Sequence, residues 1–129
     1  MKRRDALKIL GSSAALVTVL PGLANGKKMA LGLNKVEKLR EVGSSVILEI
    51  KGKEVLFIRE SKEVIRALDP ECKHKKCTVE YDKKQNLIVC PCHGSTYSAE
   101  GKILKGPATE SLTAFEATLA NDRIIFSMD

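Results

Sequence analysis

Short apolar runs separated by turn residues dominate the chain from residue 42 onward. In "SVILEI", residues 45–50, apolar side chains recur at Val46, Leu48 and Ile50, which is the period of a half-buried strand. The stretch "KGKE" supplies a turn into "VLFI", and "VIRAL" at residues 64–68 is a third short strand. Short strands at this spacing predict an all-β sandwich or small barrel.

Two hairpins are predicted in the second half of the chain. The stretch "TVEYDKKQNLIVC" reads as two strands with a turn near residues 84–86. At the C-terminal end, "LTAFEATL" and "RIIFSM" flank Asn121-Asp122, a pair of residues typical of tight hairpin turns.

The first 24 residues have a different pattern. A basic start is followed by an apolar run from Ile9 to Leu23 and a small-x-small end at Ala24, which is the plan of an export signal. The pair Arg3-Arg4 resembles a twin-arginine signal, a type that exports folded proteins. A buried amphipathic helix is the alternative, but glycine, serine and proline within the run suit a signal better.

The sequence therefore divides into three predicted parts. Residues 1–24 form a signal or a membrane-anchoring helix, residues 25–41 a linker or hinge, and residues 42–129 the folded domain. Whether the first part is cleaved stays open.

Composition limits the function classes. The formal net charge is +6, and the first eight residues contribute half of that excess. The remaining charge is too small to indicate a nucleic-acid-binding protein. Aromatic residues make up 4% of the chain and tryptophan is absent, so the core is aliphatic and small, and such a domain often needs a covalent or metal staple.

All four cysteines and both histidines fall between residues 72 and 93. Their spacing is Cys72-x-His74, then Cys90-x-x-His93, so each of two short segments offers one thiolate and one imidazole. This mixed set suits iron with sulfide. A structural zinc site is the alternative, but zinc fingers usually place two cysteines on one segment and two histidines on the other.

This pattern, C-x-H followed by C-x-x-H, resembles the signature of the Rieske iron–sulfur family. The resemblance runs from about Val42 to the C-terminus and implies the Rieske fold, an antiparallel β-sandwich base with a small cluster-binding lobe at about residues 70–108. It also implies one 2Fe–2S cluster, with Cys72 and Cys90 on one iron and His74 and His93 on the other.

Cys77 and Cys92 remain outside this ligand set. From the residues alone, the four cysteines could instead form two disulfides, in any of three pairings. The resemblance implies a single Cys77–Cys92 bridge, as in the Rieske subunits of quinol-oxidising cytochrome bc complexes.

The resemblance also assigns roles to residues after the second segment. Ser95 and Tyr97 match an S-x-Y spacing that donates hydrogen bonds to the cluster in high-potential members, Ser95 toward a bridging sulfide and Tyr97 toward the Cys72 thiolate. "GPA", residues 106–108, matches the proline loop that covers the cluster. The sequence departs from the family at Lys75-Lys76, where Leu-Gly is usual, which puts tight quinol docking in doubt.

By resemblance, the protein transfers single electrons through a high-potential cluster and has no stand-alone catalytic site. It would accept an electron and a proton from quinol, with His93 taking the quinol hydrogen bond, and pass the electron to cytochrome b or c-type subunits of a membrane complex. The expected location is the outer face of the cytoplasmic membrane. The alternatives are the small subunit of an exported oxidoreductase similar to arsenite oxidase, and a soluble Rieske ferredoxin.

Overall fold

The computed structural model of the chain describes residues 17–19, 28–72, 77–92 and 94–128. Within this part the secondary structure is almost entirely β, with two short 3-10 turns at Leu33–Lys35 and Glu37–Arg40. The strands are β1 (Val17–Val19), β2 (Lys28–Gly32), β3 (Ser45–Ile50), β4 (Lys53–Arg59), β5 (Ile65–Leu68), β6 (Glu80–Asp82), β7 (Leu87–Val89), β8 (Thr96–Ser98), β9 (Ile103–Lys105), β10 (Ala114–Ala120) and β11 (Arg123–Ser127).

The strands form two antiparallel sheets. The larger one, here called the base sheet, has the order β1-β2-β11-β10-β5-β4-β3. The smaller one, here called the lobe sheet, has the order β6-β7-β8-β9. This arrangement confirms the predicted all-β fold with a base and a smaller lobe.

The predicted hairpins form because their turn residues accept a left-handed backbone. Between β3 and β4, Lys51 and Gly52 have φ values of 53° and 82°, as in the two-residue turns whose twist matches that of the flanking strands. Asn86, before β7, and Asn121, between β10 and β11, also have positive φ. Asparagine tolerates this region better than most residues. All three turns lie at the predicted positions or within two residues of them.

Strand β4 contributes to two hydrophobic cores at once. Val55 and Phe57 pack with side chains of β2 and β11 in one core, here called the base core. The alternating Leu56 and Ile58 pack with side chains of β7 and β8 in a second core, here called the lobe core. All four side chains are at most 2% exposed. Because side chains alternate between the two faces of a strand, the unbroken apolar run "VLFI" is explained by a sheet covered on both sides.

The folded domain starts earlier than the sequence predicts. The segment predicted as linker, residues 25–41, contains β2 and the two 3-10 turns, and Leu31 and Leu39 in it are fully buried. Strand β2 pairs with β11, so it is part of the base sheet and the prediction of a linker up to residue 41 was wrong from Lys28 onward.

The predicted signal or anchor lies mostly outside the described residues. Only Val17–Val19 of it is described, and these residues form β1 against β2 and not a helix turn. In the described part of the chain, no helix reaches the length and apolar character that crossing a membrane requires.

Candidate metal centre

Two loops of equal span project from the lobe. The first follows β5 and is closed by the Cys72 amide, which donates to the Cys77 carbonyl at 2.7 Å. The second connects β7 to β8 and is closed by the Cys90 amide, which donates to the Ser95 carbonyl at 2.8 Å. In both segments the closing bond joins a cysteine to the residue five positions later.

The two predicted ligand cysteines are deeply buried. Cys72 and Cys90 are each 1% exposed and belong to the lobe core, where they pack among apolar side chains such as Leu68, Val79 and Ile88. The two predicted histidine ligands, His74 and His93, lie outside the described residues, as do the lysines between His74 and Cys77. The structure therefore places the thiols of the predicted set but not its imidazoles.

A disulfide joins the loops and confirms the predicted bridge. Cys77 and Cys92 are bonded, with their Cα atoms 6.5 Å apart. One half of the bridge closes the first loop and the other half belongs to the second loop. The bond therefore holds the two ligand loops together.

Tyr97 lies beside Cys72, the first residue of the first loop. Its side chain is fully buried on β8, and its Oη atom is 3.4 Å from Cys72 Sγ. A thiolate has no hydrogen to donate, so when Cys72 is ionised the phenol must be the donor. This contact matches the geometry predicted from the S-x-Y spacing.

Ser95 connects the second loop to the proline loop. Its side chain is fully buried, and its Oγ accepts a hydrogen bond from the Ala108 amide at 3.0 Å. The hydroxyl keeps its own hydrogen for donation, and no acceptor for it is recorded among the described residues. A buried donor without an acceptor is uncommon and points to a missing group beside it.

An ionic cluster ties the lobe to the base sheet. The Glu60 carboxylate accepts from Arg66 Nε at 2.6 Å and from Asn86 Nδ2 at 3.0 Å, and Asn86 in turn accepts from Tyr81 Oη at 2.6 Å. Burial alone would raise the pKa of the Glu60 carboxyl, but the hydrogen bonds from Asn86 and Arg66 and the Arg66 charge hold the pKa below its usual value of 4.5. Burial and the nearby carboxylates raise the pKa of Tyr81.

The sequence did not reveal two of these contacts. The Ala108 amide is a backbone group, and nothing in the residue type marks it as the partner of Ser95. The Glu60–Asn86 bond joins residues 26 positions apart, one directly after β4 of the base sheet and the other directly before β7 of the lobe sheet. The local sequence "GPA" predicted the proline loop to which Ala108 belongs, but it did not predict the bond from the Ala108 amide to Ser95.

Comparison with known proteins decides the family. A family model described as the Rieske [2Fe-2S] domain matches residues 31–116, which is more than half of the chain and includes both loops. The chain belongs to the Rieske family. The match begins within β2, in agreement with the early start of this Rieske domain in the structure.

The curated relatives are subunits of cytochrome complexes. The cytochrome b6-f complex iron-sulfur subunit 1 of Nostoc sp. is 34% identical over 100 residues, which cover 75% of this chain and 56% of that protein. The iron-sulfur subunit 2 of the same complex in Synechocystis sp. is 32% identical over 115 residues, which cover 87% and 62%. This Rieske protein thus spans little more than half the length of these relatives.

Solved structures share the fold. The cyanobacterial plasma membrane Rieske protein PetC3 from Synechocystis is 27% identical, with a TM-score of 0.60 over 74% of this chain and 91% of that chain. A chain of a hyperthermophilic respiratory complex III is 22% identical, with a TM-score of 0.58 over 74% and 71%. The ferredoxin of carbazole 1,9a-dioxygenase from Nocardioides aromaticivorans is 16% identical, with a TM-score of 0.63 over 78% and 95%, and these last two likenesses concern the fold alone.

The described residues fit the 2Fe–2S cluster of a Rieske domain. Two buried cysteine thiols stand on two loops that a disulfide holds together. The buried Ser95 hydroxyl keeps a hydrogen to donate, and Tyr97 reaches Cys72 Sγ. Thiolates are the protein ligands that iron–sulfur clusters require, and donors near sulfur are the usual way in which a protein tunes them. The protein is a Rieske 2Fe–2S electron-transfer protein related to the iron-sulfur subunits of the cytochrome b6-f complex.

Proposed function

We propose that this protein accepts an electron together with a proton from a quinol and passes the electron to a cytochrome, as a subunit of a cytochrome bc-type complex. The observation that carries the proposal is the 3.4 Å contact between Tyr97 Oη and Cys72 Sγ. A quinol is a weak reductant, so its oxidation needs an acceptor of high potential. A buried phenol that donates to a ligand sulfur favours the more negative reduced state and raises the potential.

A bound 2Fe–2S cluster would supply the one-electron redox chemistry, and we propose four residues as its ligands. Cys72 and Cys90 give the thiolates, and His74 and His93, one from each loop, give the imidazoles. Each imidazole keeps one ring nitrogen that does not bind metal. We assign the quinol hydrogen bond to that nitrogen on His93, because neutral imidazole can accept a proton near neutral pH.

The remaining residues of the centre hold the ligands in place. The Cys77–Cys92 bridge keeps the two loops at a fixed separation. The Ala108 amide holds the Ser95 oxygen, so that the hydroxyl hydrogen is left for the proposed sulfide contact. Such supporting contacts orient the atoms that touch a metal group and tune its electronic properties.

The proposed partners are cytochrome b and c-type subunits of a membrane complex. The names of the curated relatives, which are iron-sulfur subunits of the cytochrome b6-f complex, support this assignment. The leader with Arg3-Arg4 supports export by the twin-arginine route, with the domain at the outer face of the cytoplasmic membrane. The neighbour PetC3, named as a plasma membrane protein, agrees with that location.

Purification from native membranes tests this proposal. A tag placed after the C-terminal strand should bring down b- and c-type haem absorbance from detergent-solubilised membranes, together with quinol-dependent cytochrome c reduction. A tagged Cys90→Ser chain should lose that activity, because one proposed ligand is gone. Recovery of the wild-type chain in the soluble fraction without haem, or with a molybdenum enzyme, would instead support the soluble ferredoxin or the arsenite oxidase-like alternative.

A further inference from the structure

The disulfide has a third cysteine beside it. The Sγ atoms of Cys77, Cys90 and Cys92 all lie within 4.8 Å of one another, and Cys77 and Cys92 are bonded. Cys90 is buried, Cys77 is half-buried and Cys92 is exposed. A proposed iron ligand therefore lies within 4.8 Å of both sulfur atoms of a disulfide.

We propose that Cys90 exchanges with the Cys77–Cys92 bridge whenever the cluster is absent. Cys90 first gives its thiol proton to water, and its thiolate sulfur then attacks Cys77 Sγ. A Cys77–Cys90 bond forms, the Cys77–Cys92 bond breaks, and the electron pair leaves on Cys92 Sγ, which takes a proton from water. One disulfide and one thiol are present before and after, so the step needs neither an oxidant nor a reductant.

Exposure and ring size set the direction of attack. Attack at Cys77 expels Cys92, whose exposed thiolate is solvated by water and is the better leaving group. Attack at Cys92 would bridge Cys90 to Cys92 across Pro91 alone, whose ring restricts the backbone of so small a loop. The Cys77–Cys90 bridge closes a loop only two residues shorter than the original one, so loop-closure entropy hardly distinguishes the two bridges.

The exchange would remove a ligand from the centre. A Cys90 sulfur held in a disulfide cannot bind iron, so a chain that loses its cluster, or never receives one, would convert into a form that cannot be loaded. Iron bound to Cys90 withdraws the same sulfur from attack. The cluster would thus protect the Cys77–Cys92 pairing. It would have to be inserted soon after the disulfide forms, before the chain without metal has time to exchange.

A chain that cannot bind the cluster tests the exchange directly. The full-length Cys72→Ser chain lacks one proposed ligand and retains only the three neighbouring cysteines. It is incubated without reductant at mildly alkaline pH, quenched with acid, alkylated and digested with trypsin, which cuts after Lys83 and Lys84 and so separates Cys77 from the other two. Fragment spectra then show whether Cys90 or Cys92 carries the label and which of them is linked to Cys77.

The expected result is a label mainly on Cys92 and a linked Cys77–Cys90 peptide. The matched control, Cys72→Ser with Cys90→Ser, should keep the Cys77–Cys92 link and carry no label. The His74→Ala chain retains all four cysteines and should give the same exchange, with circular dichroism to check that the sheets persist in each chain. Cluster-loaded wild-type protein should show no label on Cys92.

Two results would overturn the inference. One is a label that stays on Cys90 with Cys77 linked to Cys92 after overnight incubation of both cluster-free chains. The other is a ratio of Cys77–Cys90 to Cys77–Cys92 bridges that is the same in denaturant as in the folded chain. The folded arrangement of the three cysteines would then contribute nothing to the exchange. This mapping of disulfides by peptide fragments requires neither quinol nor cytochrome, so its outcome is independent of the proposed function.

Discussion

At the scale of single residues, the S-x-Y spacing predicted a contact that the structure contains. Tyr97 lies against Cys72, and the buried Ser95 directly precedes the same strand, β8. The spacing was informative through the resemblance to the Rieske family, which implies a Tyr97 contact with the Cys72 sulfur. The Ala108 amide that holds Ser95 could not be predicted, since a backbone group leaves no mark on the sequence.

Replacing Tyr97 with phenylalanine should lower the midpoint potential while the cluster stays in place. The change removes one hydrogen bond to a ligand sulfur and leaves the ring packing intact. A bond worth about 1 kcal/mol corresponds to about 40 mV for a one-electron couple. A redox titration followed by visible circular dichroism measures the shift.

Tyr81→Phe is the matched control for that titration. Tyr81 is the other tyrosine of the chain, and its hydroxyl donates to Asn86 and not to a cysteine. Its loss should leave the potential unchanged. Equal shifts in the two variants would contradict a specific role for the Tyr97 hydroxyl.

At the scale of elements, local turn chemistry was easier to predict than pairing between distant strands. The hairpins were predicted because Lys51-Gly52 and Asn121-Asp122 mark them locally. Strand β2 was missed because its partner, β11, is more than 90 residues later in the chain, and the flanking "NGKKMA" suggests a linker. The contact between Glu60 and Asn86 was missed for the same reason: it links the end of β4 to the β6–β7 turn.

Glu60→Gln should make the domain less stable at neutral pH by about 1 kcal/mol, because a charge-assisted bond to Arg66 is lost. The pKa of Glu60 is lowered in the folded state, so its stabilising effect is complete above the unfolded value and is lost as the pH falls through the folded value. The difference between wild type and variant should therefore shrink as the pH falls below about 4.5. Denaturant unfolding at a series of pH values measures it.

Glu63→Gln is the control for this series. Glu63 is an exposed carboxylate in the turn before β5, close in sequence to Glu60. Its replacement should change the stability little, because the side chain is exposed. A Glu60→Gln difference that stayed constant down to low pH would contradict the assignment of Glu60 as the linked group.

At the scale of the whole molecule, two kinds of connection hold the lobe besides the ionic cluster at Glu60. One is hydrophobic, through the face of β4 that packs Leu56 and Ile58 in the lobe core. The other is covalent, through Cys77–Cys92. The family pattern predicted the covalent one, whereas the shared strand could not be predicted because an apolar run does not show which sheets it lies between.

Removing the bridge should lower the free energy of unfolding by about 3 kcal/mol, the value expected for a loop of this length, since 15 positions separate its two cysteines. The Cys77→Ser/Cys92→Ser chain tests this in thermal and denaturant unfolding. A phosphine reductant should destabilise the wild type to the level of the double variant and leave the double variant unaffected. Equal stability of the two chains without reductant would contradict the prediction.

The early start of the domain also sets a mechanical limit. The linker expected from the sequence alone, residues 25–41, would span more than about 50 Å if it were fully extended. Residues 28–41 belong to the folded domain, so they cannot extend in this way. A membrane anchor that precedes the domain would therefore hold it on a tether shorter by those residues, and its electron donor and electron acceptor would have to reach it closer to the membrane surface.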